Sequence, residues 1–201
     1  MNQILLVEGK DDQHVMWALC EKFKVPQNFK IVETSGVDNL ITQLPVRMKQ
    51  SDIISIGVII DADVDLNKRW IQLCGIFSKT LPNFPTNPNK DGTIHEENNL
   101  KIGVWIMPNN QVNGMLESFI EFLIPHDDDL LPTIKTHLDE IEKNSKNKYK
   151  IIHRDKALIH SWLAVQEDPG TPLGLSITKK YLSTDVEQCK VLIDWLLKVF
   201  N

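Results

Sequence analysis

Hydrophobic residues along the first half of the chain form short continuous runs separated by longer stretches with helical spacing. Continuous apolar runs are typical of parallel strands that are buried on both faces. Apolar residues three and four positions apart indicate amphipathic helices. The predicted strands are Ile4–Val7, Phe29–Glu33, Ile53–Ile60 and Ile102–Met107, and the predicted helices are Asp11–Lys24, Val37 to about Met48, Leu66–Lys79 and one that begins near Gly114.

Strands and helices that alternate with short connections predict an α/β fold, with a mostly parallel four-stranded sheet and helices on both faces. Pro45 makes the second half of its helix doubtful, because proline removes a helical hydrogen bond. The stretch from Leu81 to Leu100 is rich in Pro and Asn and predicts a long loop, in which only Thr93–His95 hints at a strand. We expect residues 1–125 to form this α/β core.

Beyond Pro125 the strand pattern stops and only helical spacing continues. The predicted helices are Asp128–Ile141, Lys156–Val165, Leu175–Leu182 and Asp185–Phe200. We expect residues 126–201 to form a helical extension that packs on the core as one compact unit. Four tryptophans recur among Leu and Val at helical spacing, which predicts that they pack in the core; they are Trp17, Trp70, Trp162 and Trp195.

Composition narrows the classes of protein to which the chain can belong. A chain of 201 residues, 42% of them hydrophobic, can bury one good core. The net charge of -5 means that a nucleic-acid partner needs a local basic patch or a metal ion. Cys20, Cys74 and Cys189 are too far apart to indicate a zinc site or a disulfide framework. Without a signal-like start or a membrane-length apolar stretch, we expect a cytoplasmic protein with no membrane partner.

Carboxylates follow two of the predicted strands: Glu8 follows the first, and Asp61, Asp63 and Asp65 follow the third. The carboxyl ends of parallel strands meet at one edge of a sheet, and neighbouring strands lie about 4.8 Å apart. In an extended stretch Asp61 and Asp63 point the same way. Converging carboxylates repel one another unless a cation neutralises them, and an all-oxygen set favours Mg²⁺ or Mn²⁺ over Zn²⁺.

The alternative interpretation is that these acids are solvated loop residues and helix caps. Asp11, in particular, is expected to cap the first helix. His126 and the following Asp127–Asp129 look like metal ligands, but their position before a helix favours capping and a favourable interaction with the helix dipole.

These residues resemble a known domain. An apolar strand followed by Glu8-Gly9, Asp12 four residues beyond the glutamate, and a buried strand that ends in Asp61-x-Asp63 look like the Toprim domain. Topoisomerases, bacterial primases, overcoming-lysogenization-defect nucleases and recombination-mediator proteins share that Rossmann-like fold. The match covers about residues 3–125. The chain also resembles, over most of its length, an uncharacterised Toprim-like family, and the matching segments are Met107–Asn110, Gly114–Glu117 and Ile193–Leu196.

The resemblance implies roles for five acids. Glu8 would be a metal ligand or general acid/base, Asp61 and Asp63 would hold Mg²⁺, and Glu8 and Asp61 are the expected catalytic residues. Asp12 would be an additional acid of the nuclease type, and Glu117 the carboxylate at the edge of the fourth strand. Two metal ions at such a site could support in-line phosphodiester cleavage, one activating water and the other stabilising the leaving oxygen.

Basic residues fall into two places. Lys10 could steady a phosphate beside the acids or simply solvate the turn. A basic cluster around residues 143–156 could contact nucleic-acid phosphates or form a solvated helix end. The candidate nucleic-acid-binding residues in it are Lys148, Lys150, Arg154 and Lys156.

The leading hypothesis is a Mg²⁺- or Mn²⁺-dependent enzyme that cleaves phosphodiester bonds in DNA or RNA. One alternative is a non-catalytic Toprim module that binds nucleic acid or a partner protein, and a homodimer is also compatible with the sequence. A second alternative is a haloacid-dehalogenase-like phosphatase, since Ile59–Asp63 imitates the nucleophilic aspartate motif of that family. That family expects Thr or Val where Asp65 stands.

Overall fold

The computed structural model describes residues 2–201 and contains one mixed sheet. Its strands are β1 (Gln3–Val7), β2 (Lys30–Glu33), β3 (Ser55–Asp61), β4 (Thr93–Glu97) and β5 (Leu100–Met107). Their order across the sheet is β2-β1-β3-β5-β4, and all pairs are parallel except β4 with β5. The predicted α/β class with a mostly parallel sheet is confirmed.

The sheet has five strands, so the prediction of four strands is wrong. The additional strand, β4, pairs with β5 through the tight turn of Asn98 and Asn99, which both have positive φ as this hairpin type requires. Strand β4 lies at the edge of the sheet, and its sequence Thr-Ile-His-Glu-Glu is mostly polar. An edge strand of this kind has no continuous apolar run, which is why the hydrophobic pattern only hinted at it.

Helices cover both faces of the sheet and form most of the second half of the chain. They are α1 (Lys10–Lys22), α2 (Val37–Arg47), α3 (Leu66–Phe77), α4 (Leu116–Phe122), α5 (Leu130–Lys143), α6 (Arg154–Ala164), α7 (Leu173–Thr178) and α8 (Glu187–Phe200), with a 3₁₀ turn at Ile151–His153. Helix α2 continues through Pro45 to Arg47. Of the helices in residues 2–201, none has the length and apolar character needed to cross a membrane.

Successive residues of each strand point to opposite faces, so the apolar strands supply two cores. On one face Leu6, Val58 and Ile60 pack with α2 and α3. On the other face Leu5 and Ile59 pack with α1, α4, α6, α7 and α8. This burial on both faces is the reason that β1, β3 and β5 are almost entirely apolar.

Helix α8 packs directly on the sheet because two glycines leave room for it. Gly57 of β3 and Gly103 of β5 are partners in the parallel register. A Cβ atom on Gly57 would lie 2.9 Å from Phe200 Cζ, and one on Gly103 would overlap Val199 Cγ2. The C-terminal helix therefore shares the core of the sheet.

Trp70, Trp162 and Trp195 are buried, as their helical spacing predicts. The same prediction is wrong for Trp17, which is 47% exposed and packs its ring beside His14. The buried side of α1 is formed by residues such as Val15, Met16 and Leu19, and position 17 lies outside that stripe.

Candidate metal centre

Glu8 and Asp61 stand next to each other at the carboxyl edge of the sheet. Glu8 follows β1, and Asp61 is the last residue of the neighbouring β3. The Asp61 backbone N–H donates to Glu8 Oε1 at 2.7 Å. Asp61 Oδ1 accepts a hydrogen bond from the N–H of Leu116, the first residue of α4, at 3.0 Å. The parallel register thus brings two strand ends and a helix start to one point.

Asp12 joins this cluster from the first turn of α1. Its carboxylate Oδ2 accepts a hydrogen bond from Gly9 N–H at 3.1 Å, and the residue is only 8% exposed. The N-cap of α1 is Gly9, so the prediction that Asp11 caps this helix is wrong. The helix begins one residue earlier than the pattern indicated, which places Asp12 at the third helical position, from which a side chain reaches back to the cap.

Glu117 approaches from the first turn of α4 and is 3% exposed. Two side chains of α6 face its Oε1 atom: Lys156 Nζ at 3.3 Å and His160 Nε2 at 4.0 Å. Ser118 donates a short hydrogen bond to Asp155, which ties α4 to α6 at the same place. Helix α6 therefore supplies positive charge next to the acids.

The backbone is not extended at Asp63, so the expected extended stretch from Asp61 to Asp63 is wrong. Its φ of 53° is in the left-handed region, and its backbone forms a bridge with Gly114. The half-exposed Asp63 carboxylate pairs with Arg69 NH2 at 2.7 Å. Because the chain leaves the β conformation here, alternation of side chains stops after Asp61.

Arg69 is a residue of this site that the sequence reasoning missed. Its Nε donates to the Asp61 carbonyl at 2.8 Å, while its NH2 holds the Asp63 carboxylate. Arg69 lies in the first turns of α3, eight residues after Asp61. A basic residue in the helix that follows Asp-x-Asp is the only sequence signal for it.

The three acids nearest the strand ends have raised pKa values. Burial raises the pKa of Glu8, against the lowering effect of the Asp61 N–H and of Arg69. Burial raises the pKa of Asp12 to about 7, and the charges of Glu8 and Glu117 add to the effect. Burial also raises the pKa of Asp61 well above its ordinary value, and its four acidic neighbours raise it further. Near neutral pH such a cluster retains protons or takes up a cation.

The donor chemistry of the cluster fits a hard divalent cation. Carboxylate oxygens are the ligands that Mg²⁺ and Mn²⁺ prefer, and Glu8, Asp12 and Asp61 offer only such oxygens. Asp63 and Glu117 are engaged by Arg69 and by Lys156. Within residues 2–201, no three His, Cys, Asp or Glu side chains are already arranged to surround an ion. The metal roles of the five acids stay predictions.

The predicted basic cluster divides into separate groups. Lys156 faces Glu117, whereas Arg154 pairs with Asp139 and Glu142 of α5. Lys148 and Lys150 are exposed in the segment between α5 and the 3₁₀ turn, and Lys10 is exposed at the start of α1. Of the cationic residues predicted to contact nucleic acid, the structure brings only Lys156 to the acid cluster.

The acidic stretch before α5 serves the helix start, in agreement with the capping interpretation. Asp128 Oδ1 accepts a hydrogen bond from Leu131 N–H at 2.6 Å. The same carboxylate also accepts one from Trp162 Nε1 at 3.1 Å. Asp128 thus joins the first turn of α5 to a buried residue of α6.

Comparison with known proteins gives one family and one group of solved structures. A family model described as "Protein of unknown function (DUF3226)" matches residues 2–201. No curated protein matches. Three structures of the C-terminal region of the Xanthomonas campestris pv. campestris OLD protein are similar at 12% identity and cover 99% of this chain. The iodine-phased structure has a TM-score of 0.45 over 95% of its own chain, the mercury-phased one 0.47 over 96% and the platinum-phased one 0.44 over 93%.

Proposed function

The chain belongs to the DUF3226 family, and we propose that it is a Mg²⁺- or Mn²⁺-dependent phosphodiesterase that cleaves nucleic acid. One observation carries the proposal: the carboxyl groups of buried Asp12 and of partly buried Glu8 and Asp61, all with raised pKa values, lie together at one edge of a parallel sheet. Ligand sites of open α/β folds lie at this edge. The Toprim resemblance of the same three residues supports the assignment.

Glu8, Asp12 and Asp61 would hold the ion, with Asp63 and Glu117 as the further acids of the site. When bound, a divalent ion supplies charge neutralisation for a phosphate and lowers the pKa of coordinated water. The protein fixes the geometry, because the N–H groups of Asp61 and Leu116 hold the Glu8 and Asp61 carboxylates in place. Preorganised groups of this kind need no rearrangement during the reaction.

Proton transfer is assigned to Glu8, in line with the general acid/base role that the Toprim resemblance implies for it, whereas Asp12 serves as a ligand of the ion. Glu8, whose pKa is raised, would take a proton from the attacking water. Lys156 and His160 would face the phosphate from the α6 side.

The proposal is tested by incubating the purified protein with single-stranded DNA, duplex DNA, tRNA and other RNA, in Mg²⁺, in Mn²⁺ and in EDTA. We expect ion-dependent cleavage that falls roughly 100-fold or more in Glu8→Gln and in Asp61→Asn. Asp52→Asn is the matched control, because Asp52 is an exposed carboxylate just before β3, at the opposite end of the same strand. Cleavage unchanged by Glu8→Gln and Asp61→Asn would overturn these assignments.

Two other results would favour the alternatives. Nucleic-acid binding with no divalent-ion binding by calorimetry, and no cleavage, would make the chain a non-catalytic binding module. A phosphoryl group trapped on Asp61 would make it a haloacid-dehalogenase-like phosphatase.

A further inference from the structure

A shallow surface cavity of about 460 Å³, largely open to solvent, lies beside the acid cluster on α6. Its lining residues are Tyr149, His153, Lys156, Ala157 and His160. His153 is the N-cap of α6, and the other helical residues follow it at three, four and seven positions, so all of them lie on one face of the helix. The volume is in the range of small-ligand sites.

The lining of this cavity contains one cation, Lys156, beside the acids of the candidate metal centre. None of its five lining residues is acidic, although the chain as a whole carries a net charge of -5. Lys156 and His160 belong both to the cavity and to the surroundings of Glu117, which they approach at 3.3 Å and 4.0 Å. A ligand in the cavity would therefore extend directly to the candidate metal centre.

Tyr149 forms a fixed aromatic wall of the cavity. Its hydroxyl donates a hydrogen bond to Glu142 Oε1 at 2.6 Å, and Arg154 neutralises the same carboxylate from 3.2 Å. The ring is thus held in place by its polar end, and Glu142 is engaged on the α5 side. Aromatic rings next to basic side chains are what proteins use to bind unpaired bases together with their phosphates.

We propose that this cavity is a subsite for one nucleotide of a single-stranded nucleic acid, next to the phosphodiester bond that is cleaved. The nucleotide's phosphate lies against Lys156 and the two histidines, and its base stacks on Tyr149. A duplex keeps its bases paired and stacked, so it cannot place a base on this ring, and the subsite selects single strands. The inference rests on the proposed function, since it places the acid cluster at the adjacent phosphate.

The test measures binding without cleavage, in EDTA, by the fluorescence anisotropy of a labelled single-stranded oligothymidylate and of a matched duplex. We expect tighter binding of the single strand and a loss of roughly 10-fold or more in Tyr149→Leu. Tyr149→Phe keeps the ring but loses the hydrogen bond to Glu142 that holds it in place, so its affinity lies between those of wild type and Tyr149→Leu. The double variant His153→Gln with His160→Gln weakens binding, whereas His137→Gln, an exposed histidine of α5, leaves it unchanged.

Binding that is equal in wild type, Tyr149→Leu and the double histidine variant would overturn the subsite, and so would a duplex that binds as tightly as the single strand. Hydrolysis of bis(p-nitrophenyl) phosphate with Mn²⁺ separates this failure from failure of the proposed function, because a small diester does not need the subsite. If the small diester is hydrolysed but binding of the single strand does not depend on Tyr149, only the subsite is overturned. Tyr149-dependent binding without any hydrolysis of diester or nucleic acid overturns the proposed function and leaves the subsite standing.

Discussion

Asp61 is the residue that connects the parts of the candidate site. Its N–H binds Glu8, its side chain accepts from Leu116, and its carbonyl accepts from Arg69. These contacts join the end of β1, the start of α4 and the first turns of α3. A single residue at a strand end thereby sets the relative positions of three elements and of the acids that they carry.

Asp12 allows a test of the electrostatics through the pH dependence of stability. Its pKa of about 7 exceeds the ordinary 3.8, so the folded protein keeps this proton where the unfolded chain has lost it. The free energy of unfolding of the metal-free protein therefore falls as pH rises from about 4 to about 7, by roughly 4 kcal/mol from this group. Asp12→Asn cannot ionise, so the variant becomes increasingly more stable than wild type over that range.

Urea unfolding of both proteins in EDTA, at several pH values from 4 to 8, measures this difference. The control for loss of a carboxylate from this helical turn is Asp11→Asn, since Asp11 is the exposed neighbour of Asp12. If the difference in free energy of unfolding between Asp12→Asn and wild type stayed constant with pH, the raised pKa could not belong to Asp12.

The strand-end acids could be predicted from sequence, but their individual geometry could not. Glu8 and Asp61 follow apolar runs, and parallel strands place both at one edge. The sequence pattern predicts Asp11 as the N-cap of α1, whereas in the structure Gly9 is the N-cap and the Asp12 carboxylate accepts its N–H. A helix start read from a pattern varies by one or two residues. The direction of Asp63 depends on a positive φ that no local pattern indicates.

At the scale of elements, α8 packs closely on β5 and β3. The register pairs Gly57 with Gly103, so two residues without side chains lie next to each other in the sheet. Val199 and Phe200 fill the space. Helical spacing predicts α8 and its apolar side. The position of α8 on the sheet, however, depends on the register of two strands about 45 residues apart, and local periodicity gives no information about that register.

Gly103→Ala is expected to destabilise the protein by about 1–3 kcal/mol, because its Cβ would overlap Val199 in a fully packed core. The double variant with Val199→Ala should recover part of that loss. Gly75→Ala is the control: Gly75 lies within α3 with no atom near its Cβ position, so alanine should stabilise the helix by up to about 1 kcal/mol. The stability of wild type and of the three variants is compared by their urea midpoints. If Gly103→Ala were as stable as wild type, the close packing of α8 on the sheet would be refuted.

At the scale of the whole molecule, the helices after residue 125 do not have a separate core. Trp162 and Trp195 belong to the same buried cluster as Leu5 of β1 and Trp105 of β5. Rings of Trp105 and Trp195 lie 5.8 Å apart. Removal of the C-terminal helices would therefore expose the part of this face that α8 covers, around Gly57 and Gly103, while α1 and α4 would stay on the rest of it.

We therefore expect one cooperative unfolding transition for the entire chain. Trp70 reports on the α2 and α3 face of the sheet, and Trp162 and Trp195 report on the other face. In protein labelled with 5-fluorotryptophan, with each ¹⁹F signal assigned by a Trp→Phe variant, the three signals should lose native intensity at the same urea concentration. If the Trp162 and Trp195 signals disappeared at a lower concentration than that of Trp70, residues 126–201 would unfold independently, contrary to the shared core.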